Sequence, residues 1–137
     1  MSDFQTPEWC CDYMVSLLDV HVMDNNKVLE PTPGEGNLVK ALAKKGFEVT
    51  IPSDDFYTYD WMTERYDAVV MNPPFTPMKV GYDIFDKCMS TSDIVIALMP
   101  WLTIINSEKR AKKLSGFGLK SVTHLPRSTF KGSRESV

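Results

Sequence analysis

The chain has 137 residues, a formal net charge of -3, and 43% hydrophobic against 24% charged residues. Those proportions fit one soluble globular domain and exclude collagen, a wholly disordered chain and a disulfide scaffold. No apolar run approaches the ~18–20 residues of a membrane span, and the acidic start Met1-Ser2-Asp3-Phe4 lacks the apolar core of a secretory signal.

Residues 8–20 place Trp9, Tyr13, Met14, Leu17 and Leu18 at helical spacing, with Thr6 as the expected N-cap and Pro7 at the first position. Residues 27–30 read as a short strand stopped by Pro31-Thr32-Pro33-Gly34. Residues 37–45 read as a helix ended by Gly46, and residues 47–51 as a strand stopped by Pro52. Residues 66–71 are apolar apart from Asp67, the pattern of a strand buried on both faces. A helix over 80–89, a strand over 93–99, a helix over 107–114 ending near Gly116 and a last strand over 120–125 complete the order. Alternation of buried strands with helices predicts an α/β fold with a doubly wound, mostly parallel sheet. We expect one catalytic domain over 1–137 with no separate target-recognition domain.

The charge is uneven. Residues 1–100 hold 7 Lys/Arg against 16 Asp/Glu, whereas residues 101–137 hold 8 against 2. The basic end, with Lys109, Arg110, Lys112 and Lys113, is either a solvated helix face or a surface for phosphates. Cys10, Cys11 and Cys88 have no CxxC spacing, which argues against zinc and predicts reduced thiols in a cytoplasmic protein.

The most specific signal is Asn72-Pro73-Pro74-Phe75 at the carboxyl end of the predicted buried strand. Two prolines fix the turn, so the Asn72 side-chain oxygen and the Pro73 carbonyl can converge as acceptors on one NH2 group, with Phe75 against a flat ring. An ordinary Pro-Pro turn is the bland alternative. The second signal, Glu30-Pro31-Thr32-Pro33-Gly34-Glu35-Gly36, would let Gly34 and Gly36 bring the backbone close to a ligand and leave Glu30 to hold a cationic amine. A tight strand-to-helix turn explains the glycines equally well. The segment has neither the third glycine of a dinucleotide fingerprint nor the Lys-Ser/Thr of a P-loop.

Over nearly its whole length the chain resembles the DNA adenine-N6 methyltransferases of gamma-type motif order. Phe4-Gln5-Thr6-Pro7 resembles their N-terminal cofactor motif, and residues 30–36 resemble their glycine-rich motif. Asp55-Phe56, 17 residues before Asn72, is similar to the pair that meets the cofactor's adenine. Asn72-Pro73-Pro74-Phe75 matches the catalytic tetrad, and Phe130-Lys131 resembles the motif packed on a flipped base.

The resemblance implies a Rossmann-like fold of the class I methyltransferase type, compact and missing some family elements. It implies S-adenosylmethionine as cofactor, held by Thr6, Pro7, Glu30, Pro31, Gly34, Gly36, Asp54, Asp55, Phe56 and Asn72. DNA would be the substrate, contacted by Phe75, Arg127, Phe130 and Lys131, with a homodimer left open and no membrane partner. The departures are a shortened interval, in which Asp54 is the candidate ribose carboxylate, and a chain that stops where a final hairpin strand would follow. A compact methylase of this kind suggests a phage or bacterial setting. Methylation of another amino or amide nitrogen, in RNA or protein, and a non-catalytic binding module are the rival readings.

Overall fold

The computed structural model describes residues 6–20, 26–52, 64–74, 78–126 and 129. Helix α1 (Glu8–Ser16) tightens into a 3-10 turn over Leu17–Val20. Strand β1 (Lys27–Leu29), helix α2 (Asn37–Lys44) and strand β2 (Glu48–Thr50) follow. Next come strand β3 (Ala68–Met71), helix α3 (Met78–Thr91) and strand β4 (Val95–Ala97). Helices α4 (Trp101–Ile105) and α5 (Glu108–Phe117) close the described order.

The four strands form one parallel sheet in the order β2-β1-β3-β4. Alternation along each strand explains why helices lie on both faces. Val28, Ala68 and Val70 are buried in a core with Cys10, Met14, Val15, Leu38 and Leu42 of α1 and α2. Leu29, Val69 and Met71 turn the opposite way, onto Ile84 and Cys88 of α3. All four β3 side chains are buried, as the continuous apolar run requires. The doubly wound, parallel α/β expectation is met. At the opposite end of the sheet from the loops described below, Asp67 clamps β3 to β1: its Oδ2 accepts from Lys27 N at 2.9 Å, and its own N–H donates to Lys27 O at 2.8 Å.

Gly46 behaves as expected. At φ +89° it follows Lys45, the C-cap of α2, while Phe47 N donates to Leu42 O across the helix end, as in a Schellman cap.

Several expectations need correction. Pro7, not Thr6, is the N-cap of α1; its carbonyl accepts from the N–H groups of Cys10 and Cys11, and the Thr6 hydroxyl is engaged elsewhere. Helix α5 runs through Gly116 and ends at Gly118, whose φ of +110° is the left-handed conformation that stops a helix. Helix α4 was not expected, because five residues are too few to display a helical period. The strand expected over 120–125 is not formed. Residues 119–124 are exposed, and a cavity of about 380 Å³, lined by Val95, Ile96 and Ala97 on one side and Leu119, Val122 and Leu125 on the other, separates them from β4. Without a neighbouring ladder the apolar pattern has no sheet to join.

Candidate active site

β1 and β3 are parallel neighbours, so their carboxyl ends open on the same side. The chain leaves β1 for β2 on one flank and returns to β3 on the other. The crevice between β1 and β3 is therefore the topological switch point, where open α/β sheets bind ligands. Three segments meet there: residues 6 and 7 ahead of α1, residues 30–37 after β1, and residues 72–74 after β3.

Asn72 is fixed from two directions. Its Nδ2 donates to Thr6 Oγ1 at 2.7 Å, and its backbone carbonyl accepts from Thr32 Oγ1 at 3.3 Å. Thr6 is itself buried, and its carbonyl accepts from Asn37 Nδ2 at 2.9 Å and, more weakly, from Cys11 Sγ at 3.6 Å. The start of α2 thus holds the segment before α1, and that segment holds Asn72. Pro73 is buried and Pro74 half-buried, so the turn after β3 is packed as well as conformationally restricted.

Glu30 is 1% exposed. Its Oε1 accepts from Thr32 N at 2.7 Å and shares the single Thr32 hydroxyl proton, at 3.3 Å, with the Asn72 carbonyl. Burial pushes its carboxyl up to about 7, against the pull of the two Thr32 bonds. Among the described residues no Lys, Arg or His pairs with it. Buried carboxylates ordinarily have a cationic partner or hold a proton. Burial raises the Cys11 thiol to about 12, helped by the charges of Cys10, Asp12 and Glu30, and burial with the Glu30 charge raises Cys88 as well. With Cys10 also raised by burial, to about 11, all three cysteines are buried free thiols.

The glycine turn is built as a left-handed approach to α2. Gly36 is the N-cap of α2 at φ +87° and donates to Pro33 O at 2.7 Å, while Gly34 sits at φ +53°. Pro31 is buried, Pro7 half-buried and Gly34 exposed at the rim.

The structure therefore brings together Thr6, Pro7, Glu30, Pro31, Gly34, Gly36, Asn72, Pro73 and Pro74. The other expected site residues, Asp54, Asp55, Phe56, Phe75, Arg127, Phe130 and Lys131, lie outside the described residues, as do Phe4 and Gln5. Sequence reasoning missed the roles of Thr32 and Asn37. The available signal was a hydroxyl between two prolines directly after Glu30, and an amide at the first position of α2.

Much of the basic charge in α5 is engaged within the fold. The Arg110 guanidinium lies 3.7 Å from the centroid of the Tyr82 ring, Lys112 pairs with Glu108 at 3.0 Å, and Lys113 pairs with Asp86 at 3.2 Å. Among the described residues no helix is long and apolar enough to cross a membrane, and no cluster of His, Cys, Asp and Glu could hold a metal.

No protein-family model and no curated protein matches the chain. Solved structures do. A protein of Pyrococcus horikoshii described as a "putative RNA methyltransferase" aligns with a TM-score of 0.64 at 21% identity, over 89% of this chain and 74% of that one. The plantazolicin methyltransferase BpumL, solved with SAH, aligns with a TM-score of 0.46 at 9% identity, over 73% of this chain and 49% of that one. The first likeness establishes a shared Rossmann-like fold.

Proposed function

We propose that the chain is an S-adenosylmethionine-dependent N-methyltransferase that acts on the exocyclic N6 of adenine in DNA by base flipping. The observation that carries this reading is the meeting, at the β1/β3 switch point, of Asn72-Pro73-Pro74 with a buried carboxylate that has no cationic partner among the described residues. The carboxylate suits the cofactor's cationic amino-acid end, and the positive-φ turn at Gly34 and Gly36 keeps side chains away from the rim where it would lie. Pro7 and Pro31 would border it. When bound, the cofactor would supply a methyl group activated on a sulfonium sulfur, which keeps the electron pair of the S–C bond when the methyl passes to the amine.

The rest of the work falls to this chain. An exocyclic amine is a poor nucleophile because its lone pair is delocalised into the ring. Acceptance of its N–H groups by the Asn72 side-chain oxygen and the Pro73 carbonyl favours the pyramidal nitrogen of the transition state, in which positive charge develops. The two prolines and the Thr32 bond hold these acceptors in place before substrate arrives, which is where preorganised electrostatics act. No strong base is needed before attack, since the amine proton leaves to water afterwards. In a duplex the base must leave the stack to reach this crevice, and Phe75 and Phe130 would repay part of the lost stacking.

RNA is the second reading, favoured by the description of the Pyrococcus horikoshii protein that shares the fold. Incubation with methyl-labelled cofactor and separate DNA, RNA and protein substrates tests both. Label on DNA as N6-methyladenine is expected. Label on RNA or protein alone overturns the DNA assignment and keeps the chemistry, whereas cofactor binding without transfer to any of them overturns the enzyme.

A further inference from the structure

We infer that Thr32 is a positioning residue that couples the charge at Glu30 to the turn after β3, so that a cation seated on Glu30 completes the bond that fixes the Asn72 peptide. Taking that cation to be the amino group of the cofactor rests on the proposed methyl transfer; the sharing of one hydroxyl proton between two acceptors does not.

The Thr32 hydroxyl has a single proton to donate. Two acceptors stand at the same 3.3 Å from its oxygen, Glu30 Oε1 and the Asn72 backbone carbonyl. With the distances equal, the chemistry of the acceptors decides which one receives it. A hydrogen bond to an ionised acceptor is about twice as strong as one between neutral groups. An ionised Glu30 with no cation beside it therefore takes the proton, and the Asn72 carbonyl goes without. A cation on the carboxylate offsets its charge, a proton removes it, and either change passes the hydroxyl to Asn72. The Thr32 N–H stays on Oε1 at 2.7 Å throughout, so Thr32 remains in place while its hydroxyl changes partner.

The local sequence holds the hydroxyl where it can make this choice. Thr32 stands between Pro31 and Pro33. Pro33 keeps it in the extended region, and its branched Cβ restricts χ1. The Asn72 carbonyl belongs to the peptide bond that enters Pro73, so a bond to it fixes the start of the turn that carries the Pro73 carbonyl. That turn is held more firmly with cofactor bound than without, which favours binding of cofactor before the methyl acceptor. No Lys, Arg or His among the described residues pairs with Glu30 in its place. The other titratable groups that feel its charge are the thiols of Cys11 on α1 and Cys88 on α3, and burial keeps both protonated through neutral pH.

The test combines one spectroscopic and one kinetic arm on the full chain. Carbon-detected carbonyl–nitrogen NMR reports the Asn72 carbonyl through the Pro73 nitrogen, and a new hydrogen bond moves that carbon downfield. Two changes neutralise Glu30 in different ways: acidification from pH 8 to pH 6, which protonates a carboxyl that burial lifts to about 7, and S-adenosylhomocysteine at pH 8, which keeps the cofactor's amino group. In wild type both should move the Asn72 carbonyl downfield. Glu30→Gln should start at the shifted position and ignore pH. Thr32→Val, which keeps the branched shape without the hydroxyl, should ignore pH, and Thr32→Ser should respond as wild type. Thr32→Val should also lose about three- to tenfold in kcat, the scale of one hydrogen bond, with S-adenosylmethionine affinity at pH 8 changed by no more than about threefold, and Thr32→Ser should recover kcat. A wild-type carbonyl that stays still on acidification overturns the inference, as does one that still moves in Thr32→Val. So does a fall in kcat that Thr32→Ser fails to rescue, since that is a folding effect. If the wild-type chain transfers no methyl group, the proposed function fails, and the acidification arm still decides whether Thr32 carries the charge of Glu30 to Asn72.

Discussion

Glu30 Oε1 accepts from the backbone N–H of Thr32 at 2.7 Å, and the Thr32 hydroxyl in turn reaches the Asn72 carbonyl at 3.3 Å. A buried carboxylate at the end of β1 thereby braces the turn at the end of β3. The same carboxyl is destabilised in its charged form by burial, which makes the fold and the proposed cofactor site sensitive to pH.

For stability the sign is fixed by the direction of the shift. Glu30 titrates near 4.5 in an unfolded chain and about 7 in the fold. Below pH 4.5 both states hold the proton and no penalty applies. Between 4.5 and 7 the unfolded state releases it first, so stability falls as pH rises, by about 3 kcal/mol in all, and levels off above 7. Glu30→Gln should flatten that part of the profile in urea melts from pH 4 to 8. An unchanged profile would mean the carboxyl is not the titrating group. A cationic ligand favours the ionised form, so wild-type cofactor affinity should rise from pH 6 to 8, and that rise should vanish in the Gln variant.

Asn72→Ala should destabilise the fold by about 1–3 kcal/mol, because the buried Thr6 hydroxyl loses its partner, leave cofactor affinity nearly intact, and lower turnover by about 10²–10³-fold, the usual loss for one preorganised transition-state contact. The backbone bond to Thr32 uses the Asn72 carbonyl and survives the substitution. Wild-type turnover in Asn72→Ala would remove the residue from the chemistry.

The crevice was legible in sequence because its parts are local. An apolar run halted by Asn72-Pro73-Pro74 declares a buried strand and a rigid turn, and Glu30 followed by two prolines and two glycines declares the neighbouring one. The bond between Thr6 and Asn72 was not legible, because it joins residues 66 positions apart and depends on where α1 packs. The misread strand over 120–125 has a related cause. A strand exists only with a partner, and a single sequence does not reveal that β4 and this segment stand apart across a cavity.

Gly36→Val should destabilise the fold by about 1–2 kcal/mol, the cost of forcing a side chain into the left-handed region. A Cβ at Gly36 would meet nothing within 4 Å, so the cost is conformational rather than a clash. Relief of the strain by reshaping the turn would move the rim at the head of α2, so cofactor affinity by calorimetry should fall at least tenfold. Full affinity in a folded Gly36→Val protein would place the cofactor away from this turn.

The basic end provides the test of the nucleic-acid partner. In α5, Lys112 and Lys113 already face Glu108 and Asp86, whereas Arg110, over the neutral Tyr82 ring, keeps its charge. Arg127 and Lys131, which follow α5 in the same basic end of the sequence, are the contacts the DNA reading expects. Each phosphate contact releases condensed counterions, so losing one reduces the slope of log affinity against log salt by about one unit. Arg127→Ala with Lys131→Ala should therefore weaken DNA binding about equally across sequences and flatten the slope by up to two units, with cofactor affinity unchanged. Lys112→Ala with Lys113→Ala should change the slope far less, because each lysine is already held by an acidic neighbour rather than by a phosphate. Identical slopes for wild type and the Arg127/Lys131 variant would leave residues 101–137 without a role in DNA binding. A larger effect from the α5 pair would move the contact surface onto that helix.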